Sequence, residues 1–194
     1  MSFLNTIFFS CALCALACVG VGSFIKHLFA RFFSKKLRFS THIAPIHVDD
    51  AQGVAYLHSQ GFAQGWDVLE FQNLLCDRHI FAHGLFSTDR FLSKSSSLVG
   101  FVLSRRVLDE AEILTITLAL AMRGQKLSAT LLKPHLEALS HNGVREVFLE
   151  VSEHNHPAIQ LYQRFGFEKI GRREAYYRDV SGQLAAALTM RVTL

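Results

Sequence analysis

Cysteine is scarce in this sequence, and its placement excludes two common roles. The chain has four cysteines; Cys11, Cys14 and Cys18 fall in one apolar segment, and Cys76 stands alone downstream. No second pair of ligands follows at the spacing of a zinc site, and the pattern is not that of a disulfide framework. We therefore interpret the cysteines as small, reduced, apolar residues of a cytosolic chain, and we predict no metal site.

Acidic residues are missing from the first part of the chain. Asp49 is the first of them, and five lysines and arginines precede it. The net charge of +4 therefore arises before Asp49, and the remainder sums to 4 − 5 = −1. A nucleic-acid surface requires clustered basic residues, so the sequence does not predict a nucleic-acid partner.

Charge is absent altogether from residues 3–25, a stretch long enough to cross a bilayer as a helix. Basic residues follow it rather than precede it, which is the reverse of a secretory signal peptide and would leave the rest of the chain in the cytoplasm. For residues 1–34 we expect an apolar helix, with three interpretations open. It is a membrane anchor that tethers the protein to the inner face of the cytoplasmic membrane, the product of a mis-assigned translation start, or a helix packed on the domain.

The remaining residues predict one α/β domain. Residues 35–45 are basic and lack an apolar period, so we predict a linker there and place the domain at residues 46–194. Apolar periodicity and turn residues predict strands at 79–86, 98–108, 111–118, 147–151 and 184–193, and helices at 49–60, from Trp66, at 127–142 and from Asn155. This alternation is typical of a mixed sheet flanked by helices. Pro134 predicts a kink in the third helix.

A lone carboxylate stands in the most apolar of these strands. Residues 147–151 predict a buried strand, and an unpaired charge there would cost several kcal/mol, so Glu150 needs a reason to be present. The helix that follows has Asn155 as its predicted N-cap, Pro157 in its first turn and Gly166 as its stop, and it carries Tyr162.

The order of these residues resembles the C-terminal half of the GNAT superfamily of N-acetyltransferases. The likeness rests on Leu149-Glu150-Val151, Asn155-x-x-Ala158-x-x-Leu161-Tyr162 and Gly166-Phe167. Within the superfamily, the chain is similar to the ribosomal-protein alanine N-acetyltransferases, the RimI type, through Val107–Leu114, Arg172-Arg173-x-x-Tyr176-Tyr177 and Gly182. The resemblance implies the GNAT fold, a mixed and mostly antiparallel sheet with a parallel central pair.

A phosphate-binding turn is predicted between the strand at 111–118 and the helix at 127–142. A turn into a helix N-terminus gathers free N–H groups and suits a pyrophosphate. The resemblance implies that the pantetheine arm lies along Ile116, Thr117 and Leu118, that Asn155 contacts the cofactor, and that the pyrophosphate is held by Arg123, Gly124, Gln125, Lys126, Leu127, Ser128 and Ala129. Lys126 stands where the family carries glycine, and we expect this departure to affect cofactor affinity more than the fold.

Acetyl transfer requires a neutral amine and a protonated leaving thiol. Glu150 is the candidate base, since burial strengthens a carboxylate as a base, and Tyr162 is the candidate acid. Each catalytic role has a structural alternative. Glu150 could merely be paired with an arginine, and Tyr162 could be a core residue. Tyr176 and Tyr177 are expected either to line the peptide entrance or to pack in the core, and Glu112 to contact the incoming N-terminus.

The sequence thus predicts a cytoplasmic, acetyl-CoA-dependent N-acetyltransferase. By resemblance, its acceptor is the N-terminal alanine of a small-subunit ribosomal protein. Two alternatives stay open: acetylation of a small-molecule amine, and a non-catalytic module that binds acyl-CoA.

Overall fold

The structure is a computed structural model that describes residues 39–62, 65–89, 96–178 and 184–194, without the side chains of residues 39, 89, 175–178 and 184–185. The predicted apolar helix at 1–34 lies outside these residues. Within them, no helix has both the length and the apolar character needed to span a membrane. Residues Phe39 to Leu194 form one compact unit.

The described residues form one seven-stranded mixed sheet, in the order β1-β2-β3-β4-β5-β7-β6. Only β4 and β5 run parallel, and the other neighbours are antiparallel, as the resemblance implied. The strands are β1 (Phe39–Pro45), β2 (Ile80–Asp89), β3 (Ser96–Val107), β4 (Glu110–Leu118), β5 (Glu146–Ser152), β6 (Glu168–Arg178) and β7 (Leu184–Thr193).

Four α-helices accompany the sheet in the described ranges: α1 (Ala51–Ser59), α2 (Val68–Cys76), α3 (Leu127–His141) and α4 (His156–Arg164). The predicted start of α2 is confirmed, because Asp67 accepts a hydrogen bond from the Glu70 N–H while the Glu70 carboxylate accepts one from the Asp67 N–H. Helix α3 continues through Pro134 and remains one element.

The two faces of the sheet bury different side chains. On the α3/α4 face, Val147, Leu149 and Val151 join residues of both helices in one hydrophobic cluster. On the α1/α2 face, Phe101 and Leu103 pack with the buried residues of the other two helices. Strand alternation therefore decides which face each side chain of the central strands occupies.

Two segments differ from the sequence-based expectation. Residues 39–45, placed in a linker, form edge strand β1, because they pair with β2 from Phe39 opposite Asp89 to Pro45 opposite His83. Strand β6 was not predicted at all. It is the other edge strand, it is rich in charged residues, as edge strands often are, and it owes its conformation to pairing with β7.

Candidate active site

A wedge opens between the two parallel strands at the centre of the sheet. Strands β4 and β5 pair only from Glu110 with Glu146 to Ile113 with Leu149. Beyond this point, residues 114–118 of β4 and 150–152 of β5 are not paired with one another. A bulge begins at the same place, since Leu103 faces Thr115 and Ser104 faces Ile113, which leaves Leu114 as the extra residue. A crevice at the carboxyl ends of parallel strands is where α/β proteins commonly bind ligands.

Glu150 is the first residue of β5 in this wedge. Strand β5 alternates between buried and half-buried positions, so the prediction that the whole strand is buried is wrong. Glu150 lies on the half-buried side, which is the α1/α2 face, and 24% of its side chain is exposed. Its Oε1 atom accepts a hydrogen bond from Arg173 Nη1 at 3.2 Å. The charge is therefore partly hydrated and partly compensated, which removes the penalty that an isolated buried carboxylate would carry.

A second carboxylate nearby is held more firmly. Glu153 accepts hydrogen bonds from Arg172 Nε at 3.1 Å and Nη2 at 2.9 Å, and from the Ala186 N–H at 3.2 Å. The Arg172 guanidinium, with the Ala186 N–H, holds the pKa of the Glu153 carboxyl below its ordinary value. Arg172 also pairs with Glu174. Glu153 is thus fixed as an anion in a structural pair and is the poorer candidate for a base.

Tyr162 lies on the opposite face of the sheet from Glu150. It is the buried residue of α4, with 5% of its surface exposed, and it belongs to the same cluster as Leu149 and Val151. Its ring lies 5.6 Å from that of Phe167. The structure therefore supports the core interpretation of Tyr162. It also places the proposed acid and the proposed base on the two sides of the sheet, next to the strand that borders the wedge.

Asn155 caps α4 as predicted. Its Oδ1 atom accepts a hydrogen bond from the Ala158 N–H at 3.3 Å, and Pro157 follows in the first turn. This contact fixes the start of the helix that carries Tyr162. Contact between Asn155 and the cofactor stays a prediction.

The turn before α3 has the form expected of a phosphate-binding loop. Arg123 donates from Nε to the Leu118 carbonyl at 3.2 Å, and Gln125 donates from Nε2 to the Ala121 carbonyl at 3.0 Å. The Arg123 contact fastens the loop to the end of β4, and the Gln125 contact links two parts of the loop itself. Gly124 has φ +75° and no atom within 4 Å of an added Cβ, so one side of the turn is open. The loop leads into the first turn of α3, where helix N–H groups lack intrahelical partners.

Lys126 adopts the left-handed conformation, with φ 62° and ψ 12°, at the N-cap of α3. An L-residue with a side chain is strained there by roughly 1–2 kcal/mol, whereas glycine is not. This explains physically why glycine would suit the position. Leu127, Ser128 and Ala129 follow in the helix and are half-buried. The exposed loop and the unpaired edge of β4 fit a diphosphate joined to an extended arm.

The end of β4 carries the three residues expected beside that arm. Ile116 is half-buried on the α3/α4 face, and Thr117 and Leu118 are buried. Leu118 lies across Gly100 of β3, where an added Cβ would come within 2.3 Å of a Leu118 methyl carbon. Gly100 is therefore needed for the position of Leu118.

One buried polar group of β4 has no visible function in the fold. Thr115 is 5% exposed, and within the described part of the chain its Oγ1 atom has no hydrogen-bond partner. An unsatisfied buried hydroxyl costs about 1–3 kcal/mol. Sequence reasoning missed Thr115, and the only available signal was that a threonine stood in a predicted strand beside the residues expected to line the cofactor.

Of the residues expected to contact the acceptor, the structure describes some side chains and not others. Glu112 is exposed and borders a cavity of about 220 Å³ with Arg105, Glu110 and Phe148 on the α1/α2 face. This cavity lies beside the paired halves of β4 and β5 and not at the wedge. Tyr176 and Tyr177 belong to β6, but their side chains lie outside the description, as does Gly182. In the described ranges, no group of three potential ligands could hold a metal ion.

Comparison with known proteins gives one consistent result. The profile of the acetyltransferase (GNAT) family matches residues 50–167. The chain is 35% identical to N-alpha-acetyltransferase RimI of Mycobacterium tuberculosis, over 73% of this chain and 85% of that protein. It is 25% identical to the [ribosomal protein bS18]-alanine N-acetyltransferase of Escherichia coli, over 73% and 90%. The crystal structure of Arabidopsis thaliana NAA60 in complex with acetyl-CoA shares the fold, with a TM-score of 0.72 and 23% identity, over 80% and 99%.

Proposed function

Because the chain belongs to the acetyltransferase (GNAT) family, we propose that it acetylates the N-terminal alanine of a small-subunit ribosomal protein, bS18. The Escherichia coli relative, which is named for this activity, is matched over 90% of its length. One observation in the structure carries the proposal: Glu150 and Tyr162 lie on opposite faces of the sheet beside the wedge between β4 and β5. The acceptor class implies a cytoplasmic site of action.

Acetyl-CoA supplies an activated acyl group as a thioester. In the proposal, Ile116, Thr117 and Leu118 lie along its pantetheine arm, and the turn from Arg123 to Lys126 with the first residues of α3, Leu127, Ser128 and Ala129, binds its pyrophosphate. Asn155, at the start of α4, contacts the same molecule. A backbone N–H near Leu118 stabilises the negative charge that develops on the carbonyl oxygen.

Glu150 acts on the acceptor side of the sheet. A free α-amino group has a pKa of about 7.7–8.0, so a weak base suffices to remove its proton at neutral pH. Glu150 takes this proton, directly or through a water molecule, and the amine nitrogen then bonds to the acetyl carbon. Arg173 keeps the carboxylate at the mouth of the wedge through its hydrogen bond.

Tyr162 acts on the other side. As the C–N bond forms, the C–S bond breaks and leaves a thiolate, to which the Tyr162 phenol gives its proton. The burial of Tyr162 against Phe167 holds the ring in one position. The nitrogen loses a second proton as it becomes an amide, and this proton returns to the Tyr162 phenolate, directly or through water, while Glu150 gives its proton to solvent. The products are the acetylated N-terminus and coenzyme A as a thiol, and both residues are back in their starting states.

The test is release of coenzyme A thiol by the full chain, with acetyl-CoA and a peptide that begins with the N-terminal alanine sequence of bS18. We expect turnover with this peptide and little with the same peptide blocked at its amine. Turnover with small amines alone would transfer the assignment to a small-molecule acetyltransferase. Binding of acetyl-CoA without turnover would reduce the chain to a binding module.

Glu150→Gln tests the base. Turnover should fall by about 100-fold or more, most strongly below pH 7.7, where the acceptor amine is largely protonated. Glu153→Gln is the matched control, since it makes the same change three residues along and in a different ion pair. It should leave turnover close to that of the unmodified chain. An equal loss in both variants, or an unchanged pH profile in Glu150→Gln, would remove Glu150 from the mechanism.

A further inference from the structure

Thr115 presents an unexplained buried hydroxyl at the wedge. Of the buried side-chain nitrogen and oxygen atoms in the described residues, its Oγ1 atom is the one without a hydrogen-bond partner. Native proteins pair nearly all such atoms, so an exception calls for an explanation, and a ligand that binds from outside the fold is one. Nearby Ser104 shows the ordinary situation, since its Oγ atom lies 2.7 Å from His135 Nε2.

The position of Thr115 indicates what that partner is. Thr115 faces Leu103 across the β3–β4 ladder, and Leu103 belongs to the α1/α2 face. Directly opposed residues of an antiparallel pair point to the same face. Thr115 therefore lies on the α1/α2 face, in the part of β4 that is not paired with β5.

Glu150 lies on the same face, on the other side of the wedge. The last pair between β4 and β5 is Ile113 with Leu149, and both belong to the α3/α4 cluster. The next residue of β5, Glu150, therefore points to the opposite face, which Thr115 shares. The wedge thus has a carboxylate on one side and a hydroxyl on the other.

We propose that Thr115 binds the acceptor amine, with its Oγ1 atom accepting a hydrogen bond from an N–H of the amine whose proton Glu150 removes. This inference rests on the proposed function and adds a residue that positions the acceptor. A primary amine keeps two N–H bonds once it is neutral. Thr115 holds one of them, which turns the nitrogen lone pair toward the acetyl carbon in the wedge. A hydroxyl suits this task because it accepts a hydrogen bond without taking the proton.

Thr115→Val tests the proposal because it removes the hydroxyl and keeps the shape. The inference requires stability and activity to change in opposite directions. The midpoint of thermal unfolding of the free protein should rise by about 2–4 °C, since an unsatisfied buried hydroxyl is lost. The value of kcat/KM for the acceptor peptide should fall about tenfold, the size of one lost hydrogen bond, while KM for acetyl-CoA stays unchanged. Thr115→Ser should restore most of the acceptor kinetics.

Ser104→Ala is the matched control on the neighbouring strand. It removes a buried hydroxyl that already has a partner, on the face away from the acceptor. Unfolding should therefore occur at a lower temperature, with acceptor kinetics unchanged. The two variants together give opposite patterns, which a general loss of packing could not produce.

The outcomes separate this inference from the proposed function. If the unmodified chain turns over the peptide or a small amine and Thr115→Val does so equally well, the inference is overturned while the enzyme assignment stands. A lower unfolding temperature with unchanged kinetics would also overturn it, since the hydroxyl would then serve the fold. If no amine is turned over, the proposed function fails. In that case, calorimetry measures the affinity of the unmodified chain and of Thr115→Val for the peptide, with coenzyme A present. Equal binding by the two proteins, or binding by neither, rejects the role of Thr115.

Discussion

Two buried polar groups, one on each face of the central sheet, differ in whether they have hydrogen-bond partners. On the α3/α4 face, His135 is fully buried and both ring nitrogens have partners, His83 Nδ1 at 2.8 Å and Ser104 Oγ at 2.7 Å. On the α1/α2 face, Thr115 is buried without a partner in the described residues. A satisfied network stabilises a fold, whereas a group left unsatisfied is a candidate for contact with a ligand. In the proposal for Thr115, the acceptor approaches from the α1/α2 face.

Tyr162 tests whether the α3/α4 face serves only the core, because Tyr162 lies in that core and is also the proposed acid. Tyr162→Phe should lower kcat by about 100-fold, since the leaving thiolate loses its proton donor. Binding of acetyl-CoA should persist, because the ring still packs against Phe167. The measurement is thiol release under saturating substrates, together with calorimetric binding of acetyl-CoA. Tyr56→Phe, on the exposed surface of α1, is the control and should change neither. An unchanged kcat would leave Tyr162 as a core residue only.

The contribution of the His135 network to the free energy of unfolding should depend on pH. Burial, with a smaller contribution from the charge of His83, lowers the pKa of His135 to about 3. In the unfolded chain the ordinary pKa is about 6.5, so the unfolded state takes up the proton first as pH falls. The stabilising effect is therefore complete above pH 6.5 and is lost as pH falls toward 3. The free energy of unfolding should decrease by up to about 1.4 kcal/mol per pH unit from this group.

Denaturant unfolding between pH 7 and pH 4.5 measures this slope. The pKa of His83 is also lowered by burial and adds a dependence of the same sign. In His135→Gln, the free energy of unfolding should keep the weaker pH dependence that comes from His83 and lose the larger part, which comes from His135. Identical slopes in the two proteins would show that His135 is already protonated when folded, or that the network opens.

The smallest effect is expected at the two left-handed non-glycine residues of the described chain, Leu108 with φ 59° and Lys126 with φ 62°. Replacement of either by glycine should raise the free energy of unfolding by about 1 kcal/mol, because the strain of the side chain is relieved. Only Lys126→Gly should alter acetyl-CoA binding, and by less than about tenfold, since the backbone N–H that donates to phosphate is kept. Denaturant titration and calorimetry measure the two effects. A change in acetyl-CoA affinity in Leu108→Gly would place the hairpin tip, against expectation, in the cofactor site.

Much of the fold was predicted correctly from local sequence patterns. The cap at Asp67, the cap at Asn155 and the apolar period that predicts the helix at 127–142 each depend on residues within one or two turns of one another, and each is confirmed. The edge strands were missed because β1 and β6 have little apolar alternation of their own. Their conformation comes from neighbours that are distant in sequence.

In the candidate site too, features that depend on residues distant in sequence were not predicted. The resemblance supplied Glu150 and Tyr162, but the expectation that Glu150 is buried among apolar residues was wrong, since every second residue of β5 is partly exposed. Neither the wedge nor the orphan hydroxyl of Thr115 could be predicted, because both depend on where two strands stop pairing.

The sequence by itself determined the helix starts, the apolar period of α3 and the family, since these depend on the spacing of residues that are close in sequence. The tertiary structure decided which face each functional side chain occupies. A strand alternates its side chains with a period of two, and only its register with β3, β4 and β7 assigns Glu150 and Thr115 to one face and leaves Tyr162 on the other.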